Sequence, residues 1–145
     1  MSLRNLVSVS VETITPSRQN VQRLLDGAAR HIADARVRGV SAETRFGSAY
    51  TAIRMIADAG LHAHGYRTLT SRPGHHQTAI QTLVHTFGIE ASTVTRLDHL
   101  RKQRGLIEYT GETVSSGAVD ECLAQAEALH AAALAWLKIN KPELL

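Results

Sequence analysis

Arg101, Lys102 and Arg104 form a dense cationic run, and Tyr109 follows Arg104 by five positions. A guanidinium can hold a phosphate through two parallel N–H donors, and a lysine adds a point charge. A tyrosine hydroxyl can donate a hydrogen bond to an oxygen of the same group. The chemistry these residue types suggest is recognition of a phosphate, with Arg104 at its centre and Arg101 and Lys102 extending a positive groove. The stretch reads as a helix. At about 100° per residue, Val94, Leu97, Leu100 and Ile107 share one face, and Arg104 stands in the middle of that face where a leucine would be expected. An arginine on a packing face costs desolvation unless it is paired or lines a cleft. Two readings therefore stay open for Arg104: a phosphate ligand, or a structural arginine paired with a carboxylate such as Asp58 or Glu108. They can coexist. For Arg101 and Lys102 the simpler reading is a solvated helix face, and for Tyr109 a core or interface tyrosine.

Other reactive side chains point less clearly to chemistry. His75 and His76 are adjacent, so on a helix their rings diverge by about 100° and do not chelate one ion easily. Packing or capping at a helix start accounts for them. His62 and His64 sit near a helix end, and the same objection applies. His31, His85, His99 and His130 are scattered, so no metal site and no cofactor is expected. The single cysteine, Cys122, falls on an apolar helix face, which suits a buried, inert thiol. Trp136 reads as core or interface packing rather than a platform for base stacking.

The elements that must position these groups are helical. Hydrophobic residues make up 43% of the 145-residue chain and charged residues 20%, while aromatics are 4% and prolines number three. One domain with a real core is expected. A formal charge of +3 permits an anionic partner without demanding one. With one cysteine there is no internal disulfide, which fits a reducing, cytoplasmic setting. No apolar run approaches the roughly 20 residues that cross a bilayer, and no secretory signal is evident at the N-terminus.

Residues 1–15 alternate loosely through Val7, Val9 and Val11. No second strand candidate is evident, so an extended arm lying on the bundle, or crossing to a second subunit, is expected. Residues 16–141 then read as an all-α, up-and-down bundle of four to five helices with short connections. Thr15-Pro16 opens the first helix, which runs to about Arg38 with Val21, Leu24, Leu25, Ala28, Ile32 and Ala35 inward. Ser41 caps the second, to about His64, with Phe46, Ala49, Tyr50, Ile53, Ile56, Ala57, Gly60 and Leu61 inward. A third covers about His75 to Phe87, with Ile80, Leu83, Val84 and Phe87 inward. Ser92 caps the fourth, which ends near Gly111. The last follows Ser115 with a stripe of Val119, Cys122, Ala126, Leu129, Ala133 and Leu137, and Pro142 closes it.

Phe46-Gly-Ser-Ala-Tyr50-Thr-Ala-Ile, Gly65-Tyr66, Gly74-His75-His76-Gln77 and Arg101-Lys-Gln-Arg104-Gly-Leu-Ile-Glu-Tyr109-Thr-Gly, in that order, resemble a HEPN domain. They are similar in particular to stand-alone bacterial HEPN proteins whose fourth helix reads Arg-Lys-x-Arg-Asn-x-x-x-Tyr-Thr-Gly. The resemblance spans roughly residues 15 to 140. It implies a helical bundle that dimerises. It also implies a metal-independent ribonuclease of toxin–antitoxin type, partnered by a nucleotidyltransferase, with RNA or a nucleotide in a cleft shared by two subunits. Within it, Arg104 takes the position of the family's arginine, Gly105 that of its asparagine and Tyr109 that of its histidine, so Arg104 and Tyr109 are the candidate catalytic pair. Tyrosine titrates near 10, so at neutral pH it donates a hydrogen bond and is a poor base. The other expectation is a non-catalytic dimeric module that binds a nucleotidyltransferase or another protein. Five residues turn an ideal helix by about 500°, leaving Arg104 and Tyr109 about 140° apart. The two share a cleft only if the helix bends near Tyr109 or a partner subunit completes the site.

Overall fold

The computed structural model describes residues 2–145. It is an all-α helical bundle with one small two-stranded sheet. The helices are α1 (Arg18–Ala35), α2 (Ala42–Ala63), α3 (His75–Gln81), α4 (Leu83–Thr86), α5 (Ala91–Thr110) and α6 (Ser116–Asn140). The strands are β1 (Val11–Thr13) and β2 (Tyr66–Thr68). No helix among the described residues is long and apolar enough to cross a membrane.

The bundle is built around α2, which packs against α1, α3, α4, α5 and α6. Its composition allows this. Ala49, Ala52, Ala57, Ala59 and Ala63 let neighbours approach from several sides, while Phe46, Tyr50, Ile53, Ile56 and Leu61 fill the space between them. At Gly60 the approach is close, because a Cβ there would lie 2.6 Å from the Thr86 hydroxyl oxygen. The α6 stripe lies inward as its spacing requires: Val119, Cys122, Ala126, Leu129, Ala133 and Leu137 are all buried. Ser41 and Ser115 cap α2 and α6 by accepting hydrogen bonds from the backbone N–H groups of Thr44 and Ala118.

Several boundaries differ from expectation. The first helix starts at Arg18, because Ser17 rather than Thr15 accepts the capping bond, from Asn20 N–H at 3.0 Å. It ends at Ala35, leaving Val37 and Val40 exposed in the turn. The third helix is broken at Thr82, whose hydroxyl donates to the Ala79 carbonyl at 2.7 Å. Beyond the break Val84 turns outward and is 40% exposed. The N-cap of α5 is Glu90, and Ser92 already lies inside the helix.

The larger correction concerns the N-terminal segment. It lies on the bundle, but as part of a sheet, because β2 supplies the strand missing from the sequence reading. β1 and β2 pair antiparallel with Val11 opposite Thr68, Glu12 opposite Arg67 and Thr13 opposite Tyr66. Gly65, at φ +87, makes the turn from α2 into β2, and its carbonyl accepts from Ile14 N–H at 2.8 Å. Glu12 and Arg67 form an ion pair across the strands. Val11 is fully buried in the common core, and at the far end of the chain Leu144 joins that core as well.

Candidate functional site

The first half of α5 is anchored. Val94, Leu97 and Leu100 are buried against the bundle. Its second half is not: Ile107 is only partly buried, Leu106 is 53% exposed and Tyr109 is 91% exposed. Arg104 stands at the transition. Its guanidinium carbon lies 5.3 Å from the centroid of the Tyr50 ring, within the range in which an aromatic face attracts a cation. One guanidinium nitrogen also pairs with Glu108 Oε1 at 2.9 Å. The expected carboxylate partner is therefore present, and it is Glu108 rather than Asp58. Yet the Arg104 side chain is 29% exposed, and its Nε is buried without a hydrogen-bond partner. Structural packing and partial exposure coexist in one side chain.

Three elements converge here. From α2 come Tyr50, Arg54 and Asp58, spaced four apart and therefore on one face. From α3 come His75 and His76, whose rings meet edge to face with centroids 4.4 Å apart. From α5 come Arg101 and Arg104. Arg101 donates to Asp98 Oδ1 at 2.8 Å, and Lys102 lies 3.6 Å from Asp98 Oδ2 while pointing mainly into solvent. Arg54 lies 3.4 Å from Asp58. Arg54, Arg101 and Arg104 thus lie near Tyr50 where α2, α3 and α5 pack together, and Lys102 stays outside in solvent.

The electrostatics of the cleft follow from burial and from these cations. Burial pushes the Tyr50 phenol up to about 12, against the pull of Arg104, Arg101 and Arg54. Its hydroxyl is buried and has no partner. Burial likewise raises Asp58 to about 6, opposed by Arg54 and His75. His76 is lowered to about 4, first by burial and then by the positive charge of Arg54, His75, Arg104 and Arg101. At neutral pH the cleft therefore presents a neutral imidazole and a neutral phenol among three guanidinium groups. Such a site can hold an anion, with the ionised Asp58 as the negative charge already among the guanidinium groups.

Tyr109 is not part of this constellation. The α5 helix continues unbroken through Gly105 to Thr110, and only Gly111, at φ +68, ends it. Without a bend the two side chains diverge as the helix geometry requires. Within one chain the structure does not bring Tyr109 to Arg104, and Tyr109 is no core residue. Gly105 has open space where a side chain would stand.

The remaining candidates take structural positions. The His64 Nε2–H donates to the Thr86 carbonyl at 2.8 Å, and its ring lies 5.2 Å from that of Trp136, which also packs on Phe87. Cys122 is buried, and burial pushes its thiol up to about 12. His62 faces a cavity of about 330 Å³ that Asp58 also lines, together with Asn20, Arg23, Leu24 and Arg67. No three His, Cys, Asp or Glu side chains among the described residues cluster as metal ligands would. His75 and His76 do not cap their helix: Gly74 occupies the cap, and His75 Nδ1 lies 3.4 Å from the Arg72 carbonyl.

Sequence reasoning placed Tyr50 in the core and the His75–His76 pair at a helix start, and it did not single out Arg54. The available signal was the four-residue spacing of Tyr50, Arg54, Asp58 and His62, which sets a polar stripe along an otherwise apolar helix. No family model matches the chain, and no curated protein matches it either.

Proposed function

We propose that the protein is HEPN-like and binds the phosphate of RNA or of a nucleotide in the cleft between α2, α3 and α5. The observation that carries this reading is the placement of Arg104 on the inner face of α5, over the Tyr50 ring and still partly exposed, with its buried Nε unpartnered. A partly exposed, partly desolvated guanidinium is suited to a phosphate oxygen. The order of sequence motifs supports the same reading, because Arg104 occupies the position of the HEPN arginine. Metal-free cleavage of RNA, of toxin type, is the activity this class would have. In it Arg104 would stabilise the charge that develops on the phosphate.

Tyr109 enters this reading through a second subunit. Leu106 and Tyr109 project together from the end of α5, and exposed apolar groups of this kind suit a protein contact. That favours a homodimer in which two copies of α5 approach each other. The same feature supports the second reading, a non-catalytic module that docks a nucleotidyltransferase or another protein.

Incubating wild type and Arg104→Ala with RNA in the presence of a chelator separates the two. Cleavage by wild type and its loss in the variant support the ribonuclease. RNA retention without cleavage, weakened in the variant, supports binding alone. Neither retention nor cleavage by wild type removes the phosphate reading and leaves the docking module.

A further inference from the structure

The cavity of about 330 Å³ that His62 faces is lined from three elements. Asn20, Arg23 and Leu24 come from α1, Asp58 and His62 from the last two turns of α2, and Arg67 from β2. Local geometry explains why they share it. Arg23 and Leu24 follow Asn20 by three and four positions, and His62 follows Asp58 by four, so each set lies on one helix face. The pairing of β2 with β1 sets Arg67 opposite Glu12. Cavities that hold small molecules begin at about 300 Å³.

What this cavity can recognise follows from the hydrogen-bonding groups its walls leave unused. Arg23 Nη2 donates to Asn20 Oδ1, so the amide end left for a ligand is the Nδ2 donor. Arg67 donates to Glu12 Oε1 through Nε, which leaves both of its Nη groups. The Nδ1 of His62 is buried without a partner, so only Nε2 of that ring can reach a ligand. Burial, and then the charges of Arg67 and Arg23, hold the imidazole neutral at pH 7. Asp58 faces Arg54 through Oδ2 at 3.4 Å, which leaves Oδ1 as an acceptor. The side chains thus offer several donors, two of them guanidinium groups, against one carboxylate, with Leu24 as an apolar wall.

We propose that this cavity binds a small hydroxylated phosphate ester, the chemistry of a sugar phosphate, either free or as part of a nucleoside monophosphate. The lining asks for both ends of such a molecule. A bare anion would set a like charge against Asp58, and a neutral sugar would leave the arginines without an anion. In the complex the phosphate lies between Arg23 and Arg67 and accepts N–H bonds from both. The Nε2–H of His62 donates to a further phosphate oxygen. A sugar hydroxyl donates to Asp58, and Asn20 Nδ2 donates to a sugar oxygen. The site contains neither Arg101 nor Arg104, so it and the phosphate reading of the α5 cleft stand or fall separately.

Calorimetry at pH 7 with ribose 5-phosphate, inorganic phosphate, ribose and uridine 5′-monophosphate tests this. Ribose 5-phosphate should bind about tenfold or more tightly than inorganic phosphate, because it adds the bonds to Asp58 and Asn20, and ribose should give no measurable binding. The double variant Arg23→Gln, Arg67→Gln should lose about tenfold or more in ribose 5-phosphate affinity. Both arginines are exposed side chains, so its melting temperature should stay close to that of wild type. Backbone amide shifts on saturation should centre on Arg23, His62 and Arg67, not on α5. Uridine 5′-monophosphate binding as tightly as ribose 5-phosphate supports a nucleotide as the ligand, and its exclusion supports a free sugar phosphate. The proposal is overturned if none of the four binds, or if ribose 5-phosphate binds no better than inorganic phosphate. It is equally overturned if a folded double variant binds as wild type does, or if the shifts centre on Arg101 and Arg104.

Discussion

The guanidinium of Arg104 lies over the ring of Tyr50, 5.3 Å from its centroid, and ties α5 to the central helix α2. The contact depends on the ring and not on the hydroxyl, which is buried and without a partner. Tyr50→Phe should therefore keep the Arg104 position and cost no more than about 1 kcal/mol, because it removes an unsatisfied polar group. Tyr50→Ala should cost about 3–5 kcal/mol, as expected for loss of a buried aromatic ring. Denaturant unfolding of the two variants checks both values. A Phe variant as unstable as the Ala variant would mean that the hydroxyl has a partner.

The pH dependence of stability should show two opposite contributions. His62, His64 and His76 are all lowered, chiefly by burial, so the folded state resists protonating them. Their contribution is fully present above about 6.5 and is lost as pH falls below it. Asp58 is raised to about 6, so the folded state holds its proton to a higher pH than the unfolded chain does. Its contribution favours folding in acid and is lost as pH rises through that value. Asp58→Asn should accordingly stabilise the protein at pH 7 by about 1–3 kcal/mol and have little effect near pH 4. Thermal melts at the two pH values measure the difference, and equal effects at both would rule out this account of Asp58.

Gly60 is where α2 meets the segment around Thr86 and Phe87. A Cβ at this position would come within 2.6 Å of the Thr86 hydroxyl oxygen and 2.9 Å of Phe87. Gly60→Ala should destabilise the fold by about 1–3 kcal/mol through overpacking, despite the better helix propensity of alanine. A variant more stable than wild type would show that α4 can yield at no cost.

Leu106 and Tyr109 make few contacts within the chain and should matter little to its stability. Replacing both with glutamate is expected to change the unfolding midpoint only slightly. If the proposed dimer forms through α5, the same double variant should sediment as a monomer where wild type sediments as a dimer. A wild-type monomer, or an unaffected dimer, would place any self-association elsewhere.

Much of the fold is legible in the chain because helices announce themselves locally. The α6 stripe from Val119 to Leu137 follows from three- and four-residue spacing alone, and the Ser41 cap and the stop at Gly111 follow from residue type. The β1–β2 pairing is not legible, since Val11–Thr13 and Tyr66–Thr68 are three-residue strands brought together only by the Gly65 turn and the packing of Val11. The site divides in the same way. Arg104 stands out as a charge on an apolar face. That Tyr50, Arg54 and His76 would meet it depends on how α2, α3 and α5 cross, which no local pattern encodes.

The claim on which the rest depends is that Arg104 and its neighbours hold a phosphate. Its most direct test is the equilibrium binding of a fluorescent single-stranded RNA to wild type and Arg104→Ala, measured over a range of salt. Loss of a bidentate charged contact should weaken binding by about tenfold or more and lower the salt dependence by about one phosphate contact. Equal affinity and equal salt dependence in the two proteins would contradict the claim and leave Arg104 as a structural partner of Tyr50 and Glu108.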